Sequence, residues 1–288
     1  MTFQAMKHMI STFVLWVLTA VSGLLLGSTT LAGSVAPLTD AAPHFVAPVK
    51  SYSVFASGLA MPRGLLFAPS GDLYGVEQKG GSLFKVAPDG AKTRVASGFT
   101  TPFDVARDRK GNLYVADMGA NRIVMVAPTG ALTTYIANLD GPVDLGFSTT
   151  GELWICELQS NALRVFSSAK KARIVATLSH PHGLAFDKLQ NVYVGDWGNN
   201  RLVRFDLQGH MKHFADVQSP VGLAFGPSGD LYVAQPQAHG VSRIRPDGTA
   251  AMIIDNLAEP RDPAFDGAGN LYIAEGETGR VLKFTGDF

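Results

Sequence analysis

An all-β fold, six four-stranded sheets set as the blades of a propeller, is predicted by three observations. Proline recurs at a nearly fixed interval, at Pro62, Pro102, Pro142, Pro181, Pro220 and Pro260, with gaps of 40, 40, 39, 39 and 40 residues. Fifteen residues after each proline stands Glu77, Asp117, Glu157, Asp196, Gln235 or Glu275. Between the two lies an aromatic strand centre, at Tyr74, Tyr114, Trp154, Tyr193, Tyr232 and Tyr272. A period of about 40 residues is the length of one blade, and an array of such units forms one closed domain.

Taken from the amino terminus, residues 1–32 read as an export signal. Lys7 and His8 form a short basic start, the run from Met9 to Leu26 is apolar, and Thr30 and Ala32 sit as in an A-x-A-like cleavage site. The mature chain is therefore expected in the periplasm or the medium, and at a membrane only if the leader stays uncleaved. Residues 33–50 are rich in Ala and Pro and read as a linker. The propeller is expected over residues 51–288.

Within each copy, four short strand signals are separated by turn chemistry. In the second copy they fall at 104–106, 112–116, 122–126 and 132–136. Pro69-Ser-Gly, Pro227-Ser-Gly and Gly267-Ala-Gly mark the first hairpin, and Asp89-Gly, Thr129-Gly, Gln208-Gly and Asp247-Gly the third. The innermost strand carries Phe67, Phe147, Phe186, Phe225 and Phe265 on one face. Its other face carries Ala106, Gly146, Ala185, Ala224 and Ala264. A bulky face against a small one is how radial sheets interlock. Arg107 stands where phenylalanine is expected, which calls for a partner acid such as Asp108 or a shifted strand.

The last copy stops after three strands, and the segment from Tyr52 matches the missing fourth. Residues 52–57 are therefore expected to complete blade six and remove the free edges. Closure on six blades follows.

Composition narrows function. The chain has 24 basic and 24 acidic residues; removal of 1–32 takes only Lys7 and leaves a net charge of −1. That balance disfavours nucleic acid as a partner, since such binding needs clustered Lys and Arg. Cys156 is the one cysteine, so no internal disulfide forms, and it is expected as a small buried filler. A monomer is expected.

The stretch Pro181–Leu202, P-H-G-L-A-F-D followed by N-V-Y-V-G-D-W-G-N-N-R-L, resembles the NHL repeat. Asp117 with Asn121-Arg122 and Asp196 with Asn200-Arg201 match its D-x-x-x-N-R element, and Glu275 with Arg280 matches in part, whereas blades one, three and five depart from it. The resemblance implies a six-bladed propeller related to gluconolactonase-like lactonases and peptidyl-α-hydroxyglycine lyase, with seven-bladed virginiamycin B lyase further off. Other NHL propellers bind proteins or RNA. The motif speaks for the fold and little for the chemistry.

The acidic row ending each second strand is read as a device of the fold. It is expected to accept backbone N–H bonds from the following turn and to pair with an Arg five residues on. Chemistry is expected instead beside the prolines, at the start of each innermost strand. One residue past them lie Arg63, Phe103, Val143, His182, Val221 and Arg261; one further lie Gly64, Asp104, Asp144, Gly183, Gly222 and Asp262. Arg63, Asp104, Asp144, His182, Arg261 and Asp262 are the expected ligand-binding residues at the channel mouth. A small molecule, peptide or partner protein is the expected ligand. The bland alternative is that Arg63–Asp104 and Arg261–Asp262 are ion pairs plugging a solvated funnel.

The alternative function is a metal-dependent hydrolase or lyase of the lactonase-like class. There His182 and Arg63 would be catalytic, and Asp104, Asp144 and Asp262 would hold one divalent cation such as calcium. The gluconolactonase pattern has a Glu in the first blade plus Asn and Asp ligands; here that blade offers Arg63, and no asparagine follows any of the six prolines. The lyase pattern places P-H at several blade starts, and only Pro181-His182 matches it.

Overall fold

The computed structural model describes residues 42–288. The expected leader, and residues 33–41 of the expected linker, lie outside the described residues. Among those described, no helix is long and apolar enough to cross a membrane.

Six antiparallel sheets follow one another around the ring. Two strands precede the first: β1 (His44–Phe45) and β2 (Val49–Ala56). Blade one holds β3 to β6, at Pro62–Phe67, Leu73–Glu77, Ser82–Val86 and Lys92–Ser97. Blade two holds β7 to β10, at Pro102–Arg107, Leu113–Asp117, Arg122–Val126 and Leu132–Ile136. Blade three holds β11 to β14, at Pro142–Phe147, Leu153–Glu157, Ala162–Phe166 and Ala172–Thr177. Blade four holds β15 to β18, at Pro181–Phe186, Val192–Asp196, Arg201–Phe205 and Met211–Asp216. Blade five holds β19 to β22, at Leu223–Phe225, Leu231–Gln235, Gly240–Ile244 and Ala250–Asp255. Blade six holds β23 to β25, at Pro260–Phe265, Leu271–Glu275 and Arg280–Gly286.

The ring closes as the sequence predicts. β2 is the outermost strand of blade six, antiparallel to β25, with Tyr52 opposite Phe284 and Val54 opposite Leu282. Tyr52 stacks on Phe284 at 5.9 Å between ring centroids. Two strands thus begin inside the segment expected as a linker. β1 pairs with β22, His44 opposite Asp255, so that blade five gains a fifth strand before the chain passes to blade six.

The core lies between blades. Each innermost-strand phenylalanine packs on the second-strand aromatic of the blade before it. Phe67 meets Tyr272 at 4.7 Å, Phe147 meets Tyr114 at 4.8 Å, Phe225 meets Tyr193 at 5.0 Å and Phe265 meets Tyr232 at 5.0 Å. Phe186 reaches Trp154 at 6.4 Å. Such tilted pairs add to area burial because ring edge and face carry opposite partial charge. The small residues make the approach possible: a Cβ on Gly146 would come within 2.8 Å of the Phe186 ring. Cys156 is fully buried and free.

The seam between blades one and two lacks this aromatic contact because of Arg107. Neither expected account of Arg107 holds. The strand is not shifted, since Arg107 faces Leu113 just as Phe147 faces Leu153. Asp108 is not its partner either; that carboxylate accepts from the Asn112 backbone and amide and from the Tyr114 hydroxyl. The Arg107 guanidinium instead covers Gly111 in the hairpin.

Candidate functional site

The acidic row stabilises the face that carries the mouth. Asp117 Oδ1 accepts from the Thr100 and Thr101 amides, and Oδ2 accepts from Arg122 Nε. Asp196 holds the Ser179 amide and Arg201 in the same way, and Glu275 the Ala258 amide and Arg280. The amide partners therefore lie 16 or 17 residues upstream, in the segment entering the same blade, and not in the following turn as expected. Each acid closes its own blade onto the incoming chain, and its burial is compensated by charge-assisted bonds.

Blade three keeps the arginine, displaced by two residues: Arg164 reaches Glu157 at 2.7 Å from the next position on the same strand face. In blade five the carboxylate is replaced by an amide, and Gln235 donates to the Gln218 carbonyl while Ser242 donates to it. The motif asparagines have two roles. Asn121 and Asn200 take left-handed backbone at the turn, φ 52° each, which Asn tolerates better than most residues. Their side-chain oxygens accept from Gly141 and Ser219 in the next connection.

The proline ends of the innermost strands are irregular. Pairing shifts register just past Pro62, Pro102, Pro142, Pro181 and Pro260. A bulge of this kind re-aims side chains. Here it brings the residues one and two past the prolines, Gly183 excepted, to a single cavity of about 20 Å³. Arg63, Asp104, Asp144, His182, Arg261 and Asp262 all line it, with Phe103, Val143, Val221, Gly64 and Gly222 between them.

The six polar residues fall into two groups by their partners. Arg63, buried to 6% exposure, lies with its guanidinium carbon 4.1 Å from the centroid of the Phe103 ring and donates from Nε to Gln78. Phe103 in turn stands 6.4 Å from the His182 ring. Arg261 pairs with Glu259, while its Nε is buried without a partner. Burial lowers the Arg63 pKa to about 9 and, with the Arg63 charge, lowers that of Arg261 well below the usual value. Burial, then the two guanidiniums, depress His182 to about 3.

The aspartates lie along the ring instead of pointing down its axis. Asp104 Oδ2 accepts from the Leu145 amide of blade three, while Oδ1 packs where a side chain on Gly64 of blade one would be. Asp262 repeats this, with Oδ2 on the Leu65 amide and Oδ1 against Gly222. Glycine is needed at positions 64 and 222, because a Cβ there would lie 2.2 and 2.3 Å from these oxygens. Burial raises Asp104 to about 7. Asp144 and Asp262 are raised well above the carboxylate range by burial and by their carboxyl neighbours.

The expected ion pairs do not form. Among the described residues Arg63 donates to Gln78 and Arg261 to Glu259, and neither pairs with Asp104 or Asp262. Nor does the expected cation cage form. With both oxygens of Asp104 and of Asp262 set against backbone, no group of three His, Cys, Asp or Glu among the described residues is placed to hold a metal. Gln78 and Glu259 are the site residues that the repeat analysis missed. Gln78 follows the acidic row and Glu259 precedes the proline, so both flank the positions that carried the signal.

Comparison with known proteins agrees with the architecture. The NHL repeat family model matches residues 178–205, the first three strands of blade four. No curated protein matches the chain. Among solved structures, a gluconolactonase from Xanthomonas campestris is similar at 19% identity and a TM-score of 0.77, covering 90% of this chain and 99% of its own. A calcium-binding protein, regucalcin, from Agrobacterium tumefaciens is similar at 20% identity and a TM-score of 0.69, covering 83% and 96%. Virginiamycin B lyase from Staphylococcus aureus is similar at 16% identity and a TM-score of 0.63, covering 82% and 98%. At these identities the likeness is one of fold.

Proposed function

We propose that this NHL-repeat propeller is an exported binding protein that takes a small molecule or a short peptide end at the mouth of its central channel, without turnover. The observation that carries the reading is the convergence of Arg63, Phe103, His182 and Arg261 on one small cavity. Those charges do not follow from the repeat, because sister positions carry Val143 and Val221. A concave site with a few convergent polar groups is where ligands bind. Export is read from the sequence of residues 1–32.

Catalysis has weaker support. A proton carrier works best with a pKa near the working pH, and His182, at about 3, is held neutral. The carboxylates that a metal-assisted lactonase would use are turned onto neighbouring blades: Asp104 onto the Leu145 amide, Asp144 onto Leu184 and Asp262 onto Leu65.

The test is a thermal-shift screen of small molecules and short peptides on the whole chain, repeated on Phe103→Ala. Hits that stabilise the parent and lose their effect in the variant support binding at the mouth. Hits indifferent to Phe103→Ala, or a metal-dependent hydrolysis of lactones, would reverse the reading.

A further inference from the structure

We infer that the mouth recognises an oxyanion, a carboxylate or phosphate group of its ligand, through the fork of Arg63 with Arg261 beside it. The inference rests on the mouth being a ligand site and names the chemistry of what enters it.

Two arginines are buried near each other at the cavity, and neither pairs with its aspartates. Arg63 uses Nε on the neutral Gln78, and its face lies on Phe103. Among the described residues its two terminal nitrogens have no acceptor, although the side chain lines the cavity. Arg261 spends a terminal nitrogen on Glu259 and leaves Nε buried and unpartnered.

A buried donor without an acceptor costs about 1–3 kcal/mol, more when it is charged. Arg261 Nε is such a donor, and Arg63 on the neighbouring strand lines the same cavity. A planar guanidinium presents parallel N–H groups that match the two oxygens of a carboxylate or phosphate. Stacking on Phe103 fixes the plane of that fork, so little rotamer freedom remains to be lost on binding.

The aspartates lining the cavity do not compete for the guanidiniums. Asp104 and Asp262 have their oxygens against Gly64 and Gly222 and on the Leu145 and Leu65 amides. Their raised pKa values reduce the negative charge near the anion. His182 and Phe103 form the less polar wall. At about 20 Å³ the cavity has room for one small group, so it takes the terminal oxyanion of a ligand whose remainder stays outside.

The test is calorimetric titration of the whole chain at constant ionic strength in chloride. Four probes are compared: acetate, inorganic phosphate, acetamide as the neutral isostere of acetate, and tetramethylammonium. Saturable binding of acetate or phosphate is expected, at least tenfold tighter than acetamide or tetramethylammonium, and the tighter of the two anions identifies the group. Arg63→Gln should weaken the anion at least tenfold. Arg63→Lys, which keeps the charge and loses the fork, should fall between. If Arg63→Gln does not fold, Arg261→Gln serves the same comparison.

Acetamide binding as tightly as acetate, no saturation by either anion, or anion affinity unchanged in all three variants would overturn the inference. Binding of a neutral or cationic compound that depends on Phe103 would leave the mouth a ligand site and remove only its anion specificity.

Discussion

The guanidinium of Arg63 lies over the ring of Phe103 at 4.1 Å, so blades one and two meet at the channel mouth through a cation held flat on an arene. The contact joins neighbouring repeats and orients a residue whose remaining donors face the cavity. Cation–π contacts of this kind contribute on the order of 0.5–2 kcal/mol when desolvated. A double-mutant cycle with Arg63→Ala and Phe103→Ala, read by denaturant unfolding, should return a coupling energy in that range. Strict additivity of the two substitutions would show that the stacking is incidental.

Asp117 has no exposed surface and serves two backbone amides and Arg122. Asp117→Asn should therefore cost about 3 kcal/mol, because the arginine loses its charge partner and an amide hydrogen is directed at donors. Arg122→Ala should cost less, since that side chain is 30% exposed and water compensates part of the loss. Urea unfolding of both variants measures the difference; equal costs would contradict the roles assigned to them.

Stability should depend on pH in two opposed ways. Asp104 titrates at about 7 in the folded protein and near 3.8 unfolded, so its favourable contribution is complete below about 4 and is lost as pH rises toward 7. His182 titrates at about 3 folded and 6.5 unfolded, so its contribution is complete above about 6.5 and is lost as pH falls toward 3. Unfolding midpoints of Asp104→Asn should fall less between pH 4 and 7 than those of the parent. Those of His182→Gln should fall less between pH 6 and 4. Parallel curves for parent and variant would remove the assignment in either case.

The seam left without an aromatic pair can be filled. Arg107→Phe should place a ring against Tyr74, as Phe147 lies against Tyr114. The gain is expected near 1 kcal/mol, or about 2–4 °C in Tm for a domain of this size. A lower Tm would mean that the cover of Gly111 by the arginine is worth more than the missing ring.

How much of this was legible in the sequence depends on whether a feature repeats. The ring, its six blades and the strand that completes the last were readable because proline, aromatic and acid recur at one interval. The mouth was readable as the place where that recurrence breaks, at Arg63, His182 and Arg261. What those residues touch was not, because it is decided between blades. The posture of Asp104 depends on Gly64 one blade back and on the Leu145 amide one blade on, each about 40 residues away. The upstream amides held by the acidic row, and Arg164 in place of an arginine two residues earlier, depend on how a connection crosses the blade top. No local pattern encodes that crossing.

The seam between β2 and β25 has a direction. Val49 pairs with Gly286 at one end and Ala56 with Val281 at the other, so the outermost rung is the one nearest both sides from which the domain can be gripped. Traction across those sides strains the rungs singly, like a zip, and never loads them together in shear. Once the short β1 grip on blade five has peeled away, the ring is therefore expected to open first at this seam.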